Sequence, residues 1–115
     1  MVTLQSADGA RADVYLHGAH VTSWRPAPGT SERLFLSARS QFRAGTAIRG
    51  GIPVIFPQFA AEGPLPRHGF ARTTDWALDG VETTAAGHQI ATLSLHDSPA
   101  TRDIWPVRFH ATLTV

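Results

Sequence analysis

The chain has 115 residues, room for one domain and little more. With 43% apolar and 17% charged residues it reads as a folded globular chain, and a formal charge of +1 gives no reason to expect nucleic acid as a partner. The absence of Cys excludes disulfides and thiolate metal sites, and no apolar run approaches the roughly 20 residues of a membrane helix.

All ten basic residues are Arg, so any anion meets planar forks of donors suited to phosphate or carboxylate. The start, Met1-Val2-Thr3-Leu4-Gln5, lacks the basic and apolar stretches of a signal peptide. A soluble cytoplasmic protein is therefore the expectation.

In chain order, Val2 and Leu4 alternate as in a strand, and Asp8-Gly9 suits a tight hairpin turn. Ala12, Val14 and Leu16 share one face of a second strand. Gly18 interrupts it, and Val21 to Trp24 form a third. Pro26 to Gly29 is a loop, Leu34-Phe35-Leu36 a short strand, and Ser37 to Gly45 has room for a turn of helix. Gly50-Gly51 opens a different kind of segment. Pro53 and Pro57 cannot donate to a ladder, so Ile52 to Phe59 reads as a constrained, largely buried loop with an X–Pro bond that is a candidate for cis geometry. Ala60 to Pro66 is a Gly/Pro-rich connection. Trp76 to Val81, His88 to Leu95 and Trp105 to Val115 are three further strands, with Asp97-Ser98-Pro99 as a turn. There is no internal repeat and no long helical period. The expected class is all-β, an antiparallel β-sandwich. Phe109, Ala111, Leu113 and Val115 still alternate where the sequence stops, so residues 1–115 read as the N-terminal part of a single larger β-sandwich domain, with self-association through this strand as an expectation for the isolated chain.

The residues with chemistry in them concentrate between Arg49 and Arg72. Arg49 precedes two glycines, which permit close approach of backbone or ligand. Arg67-His68-Gly69 and Arg72 follow the long loop. Convergent guanidinium groups beside an imidazole suit an anionic, hydroxyl-rich ligand, although loop arginines are more often solvated surface residues. Other motifs fail. None of His17, His20, His68, His88, His96 and His110 forms an H-x-H pair, and His17 and His20 would face opposite ways on a continuous strand, so no zinc site is expected. Ser23 and Ser94 lack nucleophile-elbow glycines, and Gly50-Gly51 lacks the phosphate-loop Lys. Trp24, Trp76 and Trp105 sit in strand-like patterns and are assigned to the core.

Several segments together resemble the hexose-6-phosphate mutarotase (glucose-6-phosphate 1-epimerase) branch of the aldose 1-epimerase family. They are Gly18 to Trp24, Leu34 to Ser37, Ala47 to Phe59, Leu65 to Arg72 and Trp105-Pro106, in the family's order over nearly the whole chain. The resemblance implies a supersandwich fold. It implies an isomerase that interconverts the α and β anomers of a hexose 6-phosphate, or a related aldose, without metal or organic cofactor. By resemblance Arg49, Arg67 and Arg72 hold substrate-binding positions, and His68 matches a site histidine that hydrogen-bonds sugar oxygens. The position of Arg67 is usually Gln in the family; here it either adds a phosphate contact or changes the preferred substrate. Ring opening needs one base and one acid around C1 and the ring oxygen. The family's Glu and second His for these roles lie further along than Val115, so no catalytic residue is assigned within this chain, and Glu62 reads as a surface carboxylate. The alternative is a non-catalytic carbohydrate- or sugar-phosphate-binding fragment; a His and a Glu in β context beyond Val115 would discriminate the two.

Overall fold

Side-chain alternation, rather than helical spacing, dominates this chain, and the computed structural model, which describes all 115 residues, is built from strands accordingly. β1 (Val2–Gln5), β2 (Arg11–Tyr15) and β3 (His20–Arg25) form one antiparallel sheet in the order β1-β2-β3. Val2 lies opposite Val14 and Leu4 opposite Ala12, so the apolar positions of both strands share a face. At the first turn Gly9 has φ 86°, its N–H donates to Ser6 O at 2.9 Å, and the Asp8 carboxylate accepts from the Ala10 N–H at 3.1 Å.

The second sheet, β4 (Ala77–Thr83), β5 (Gln89–His96) and β6 (His110–Thr114), is antiparallel in chain order. Its central strand supplies Ala91, Leu93 and Leu95 to the core. These pack with Leu4, Ala12, Val14, Ala19 and Val21 of the first sheet's segment and with Phe70, Ala71 and Trp76. Each large apolar side chain buried this way contributes about 1.5–3 kcal/mol. An aromatic group closes one end: the Phe56 ring lies 5.5 Å from that of Trp105 and 5.2 Å from that of Phe109. The resulting architecture is mostly β, two antiparallel three-stranded sheets with little helix. No helix is long and apolar enough to cross a membrane.

Four local expectations need correction. Leu34–Leu36 is not a strand; only Leu36 makes a bridge, to Gly50, because the chain turns away to wrap the site loop. Ser37 to Gly45 holds turns and no helix. Asp97-Ser98-Pro99 leads into a helix, α1 (Pro99–Ile104): the Ser98 hydroxyl accepts from Thr101 N at 3.2 Å, Thr101 Oγ1 accepts from Ser98 N at 2.8 Å, and Pro99 occupies the first turn. This helix takes the place of the start of the expected last strand, which begins only at His110. Trp24, in β3, is 39% exposed, whereas Trp76 is buried as expected, its indole N–H donating to Ala71 O at 3.0 Å.

Candidate anion-binding site

Between β3 and β4 the chain runs without a named strand, and the residues singled out from the sequence lie in this stretch. Isolated bridges tie it to β3 (Val21 to Ile52) and to the β2–β3 connection (His17 to Asp75), and join its own two halves (Phe56 to Gly69).

The Arg49–Gly51 turn is fastened through several of its backbone groups. Arg49 O accepts from Ser37 N at 3.0 Å and from Ser40 Oγ at 2.9 Å, and Arg49 N donates to Ser40 Oγ at 3.1 Å. Gly51 N donates to Phe35 O at 2.7 Å and Ile52 N to Val21 O at 2.9 Å. Gly50 and Gly51 have φ of 96° and 61°, and a Cβ on either would meet backbone oxygen at 2.3 Å. The expected special backbone is therefore present, and its cause is close packing against Phe35 and β3. The Phe56–Pro57 peptide is cis.

The second arm is held differently. Gln58 is buried; its amide nitrogen donates to Ala60 O at 2.9 Å and its oxygen accepts from Leu65 N at 2.9 Å, which folds the Ala60–Pro66 connection around one side chain. Ala60 and His68 both have positive φ, 46° and 67°, unusual for residues with a Cβ, and they lock one another. His68 N donates to Ala60 O at 2.9 Å, while Ala60 N donates to His68 Nδ1 at 3.0 Å. The second bond fixes the imidazole chemistry. Nδ1 accepts, so it carries no proton, and the neutral ring bears its N–H on Nε2. Burial and the neighbouring charges of Arg72 and Arg67 also hold His68 below its ordinary 6.5. Beyond it Gly69, at φ 69°, packs against Phe56 O, which accepts from both Phe70 N and Ala71 N at 3.1 Å.

Arg49, Gly50, Gly51, Arg67, His68 and Arg72 line one cavity of about 510 Å³, with Thr46 to Ile48 and Pro53 completing its wall. Arg72 is partly buried: its Nη2 donates to Arg67 O at 3.1 Å, and its Nε is buried without a partner. Burial, and then the charges of Arg67 and Arg49, push its guanidinium below the usual arginine range. The three arginines thus crowd like charge around a polar cavity, and no carboxylate forms an ion pair with any of them. Such a site favours an anion with several acceptor oxygens. Glu62 is exposed and makes no side-chain contact with it. No group of three His, Asp or Glu side chains is placed to hold a metal ion.

Sequence reasoning missed the supports: Ser40 and Gln58, and the two histidines that flank the β2–β3 turn, His17 and His20. His17 and His20 do not lie on a continuous strand, because Gly18 and Ala19 turn the chain between them with φ 75° and 45°. His17 bonds Asp75 Oδ1 through Nδ1 and Thr46 O through Nε2, each at 2.8 Å. His20 is fully buried and its Nε2 lies 2.6 Å from Gly50 O. The glycines in both Arg segments, with Pro53 and Pro57, were the signal in the sequence that these loops are conformationally constrained.

Fold and cavity together describe a β-rich scaffold with an arginine-lined polar cavity, and comparison with known proteins places it. The chain belongs to the aldose 1-epimerase family, whose family profile matches residues 1–115. Its relatives include proteins named as candidate glucose-6-phosphate 1-epimerases: one from Cenchrus ciliaris, 39% identical over 99% of this chain and 36% of its own, and one from Escherichia coli K12, 45% identical over 86% and 34%. The chain thus spans about a third of the length of the curated relatives it matches. The crystal structure of a candidate mutarotase from Salmonella typhimurium aligns with a TM-score of 0.82 at 39% identity, covering 91% of this chain and 36% of that one. That of a galactose mutarotase related enzyme from Lactobacillus acidophilus aligns with a TM-score of 0.69 at 22% identity, over 98% and 38%, and supports the fold. The family is one of isomerases acting on aldose sugars, and the fold is that of its mutarotase structures.

Proposed function

We propose that residues 1–115 form the sugar-phosphate-binding part of a mutarotase that interconverts the anomers of a hexose 6-phosphate such as glucose 6-phosphate. The observation that carries this reading is the cavity where Arg49, Arg67 and Arg72 converge beside a neutral His68. The guanidinium forks bind the phosphate, and the remaining His68 Nε2–H donates to a sugar oxygen. The names borne by the relatives agree with this substrate class.

Mutarotation removes the proton of the anomeric hydroxyl and delivers one to the ring oxygen. The ring opens, C1 turns about the C1–C2 bond, and the other face closes. His68 is poorly suited to the base role, because Nδ1 is engaged by Ala60 and Nε2 already carries a proton. Within this chain the site residues bind and orient, and the acid and base come from residues outside it. Calorimetric titration tests the binding half. Glucose 6-phosphate and inorganic phosphate should bind, glucose should bind at least about tenfold more weakly, and Arg72→Ala should remove most of that difference, as loss of a charge-assisted pair implies. Anomer exchange followed by NMR should run no faster with the chain than in buffer, since a missing acid or base removes a factor of about 10²–10⁴. Equal affinity for glucose and its 6-phosphate would contradict the anion reading, and turnover by this chain would contradict the division of roles.

A further inference from the structure

The β2–β3 turn touches both arms of the cavity. Gly18 N donates to Thr74 O at 2.8 Å, and a Cβ on Gly18 would meet Arg72 O at 2.7 Å, so the turn packs on the backbone of the second arm. Two residues on, His20 reaches the first arm through its 2.6 Å contact with Gly50 O. A carbonyl only accepts, so Nε2 is the donor and carries the ring proton. Burial holds the ring below its ordinary 6.5, with His17 and Arg72 adding to that effect against the Gly50 bond. The neutral ring then leaves Nδ1 as a bare acceptor, buried and without a partner.

Only two buried side-chain polar atoms in the molecule lack a partner: His20 Nδ1 and Arg72 Nε. The first is an acceptor and the second a donor, and the Arg72 charge already acts on His20. Buried polar groups left unsatisfied are costly, so each of these atoms calls for an explanation.

We propose that His20 is a positioning residue of the anion site, holding the Arg49–Gly51 backbone through Nε2–H and offering Nδ1 to the Arg72 side chain. The inference rests on the anion-binding reading of the cavity. His20 touches no ligand in this role; it sets the spacing of the arginine arms. A movement of Arg72 that brings Nε–H to Nδ1 would satisfy both orphan atoms and join the arms through one imidazole. Apolar side chains of similar size fill the same space without either bond, which separates positioning from packing.

The test titrates inorganic phosphate into the wild-type chain, His20→Leu and His20→Gln, and follows amide exchange at Gly51 and at Ala91 in β5. His20→Leu should weaken phosphate binding by about tenfold, the loss of a buried hydrogen-bonded support. It should also speed exchange at Gly51 while leaving Ala91 protected. His20→Gln, whose amide can donate to Gly50 O, should recover most of both. Wild-type affinity and wild-type Gly51 protection in His20→Leu would overturn the proposal. If the wild-type chain binds no phosphate, the anion reading fails, and Gly51 exchange still decides whether His20 holds the turn. Should His20→Leu not fold, the wild-type imidazole nitrogen shifts decide: the neutral Nε2–H form at neutral pH is expected, and an imidazolium or an Nδ1–H form would overturn it.

Discussion

His68 is neutral because a backbone N–H forbids a proton on its Nδ1, whereas burial holds His20 neutral against the Gly50 carbonyl, which fixes the ring proton on Nε2. For His20 the consequence for stability has a definite sign. Its folded value lies below the 6.5 of the unfolded chain, mainly through burial. Above about pH 6.5 both states carry a neutral ring and the residue adds no pH dependence. As pH falls below that value the unfolded chain takes up a proton that the folded chain refuses, so stability drops until pH passes below the folded value. Urea unfolding of the wild type and His20→Gln between about pH 7.5 and 5 should therefore give a stability difference that shifts against the wild type on acidification. A difference constant across that range would contradict a buried neutral His20.

At the scale of elements, the Arg49–Gly51 turn is where local geometry is least tolerant. A Cβ on Gly51 would lie 2.3 Å from Val21 O in β3 and 2.8 Å from His20 Nε2, and the residue's φ of 61° is itself unfavourable for Ala. Gly51→Ala should cost roughly 1–3 kcal/mol, measured by denaturant midpoint, from backbone strain alone. An unchanged midpoint would mean that the turn is not held as described. The need for glycine here was legible in the sequence, because two adjacent glycines after an arginine have few other uses. The strands were legible too: Leu4, Ala12, Val14, Leu93 and Leu95 alternate on a period of two, a local pattern that the sheets then bury. The helix α1 was within reach, since Ser98, Pro99 and Thr101 are its capping signature, but it is too short to carry a helical period. The supports of the site were not legible. His20 acts on a carbonyl 30 residues away, set by tertiary approach, and Ser40 and Gln58 act within irregular loops whose path no side-chain periodicity marks.

Across the whole molecule, the two sheets share one core but leave apolar surface in water. Leu4, Ala12, Val21, Trp24, Ile52 and Val115 line a groove of about 410 Å³, and Ile52 is 53% exposed. β6 pairs with β5 on one side, and its other edge has no strand beside it. Along β6, Ala111 and Leu113 are half-buried while His110, Thr112 and Thr114 are exposed, the alternation expected from the sequence. An open strand edge next to exposed apolar surface favours pairing with a second copy. Sedimentation of the 115-residue chain should show mass increasing with concentration; a monomer over the whole range would contradict association through this edge.

The most direct measurement is a crystal of the chain soaked in glucose 6-phosphate. The phosphate should lie among the guanidinium groups of Arg49, Arg67 and Arg72, with a sugar oxygen within hydrogen-bond reach of His68 Nε2, about 2.6–3.2 Å. Density for the ligand elsewhere, or an empty cavity with the three arginines turned to bulk solvent at saturating ligand, would contradict the assignment of this cavity as the sugar-phosphate site.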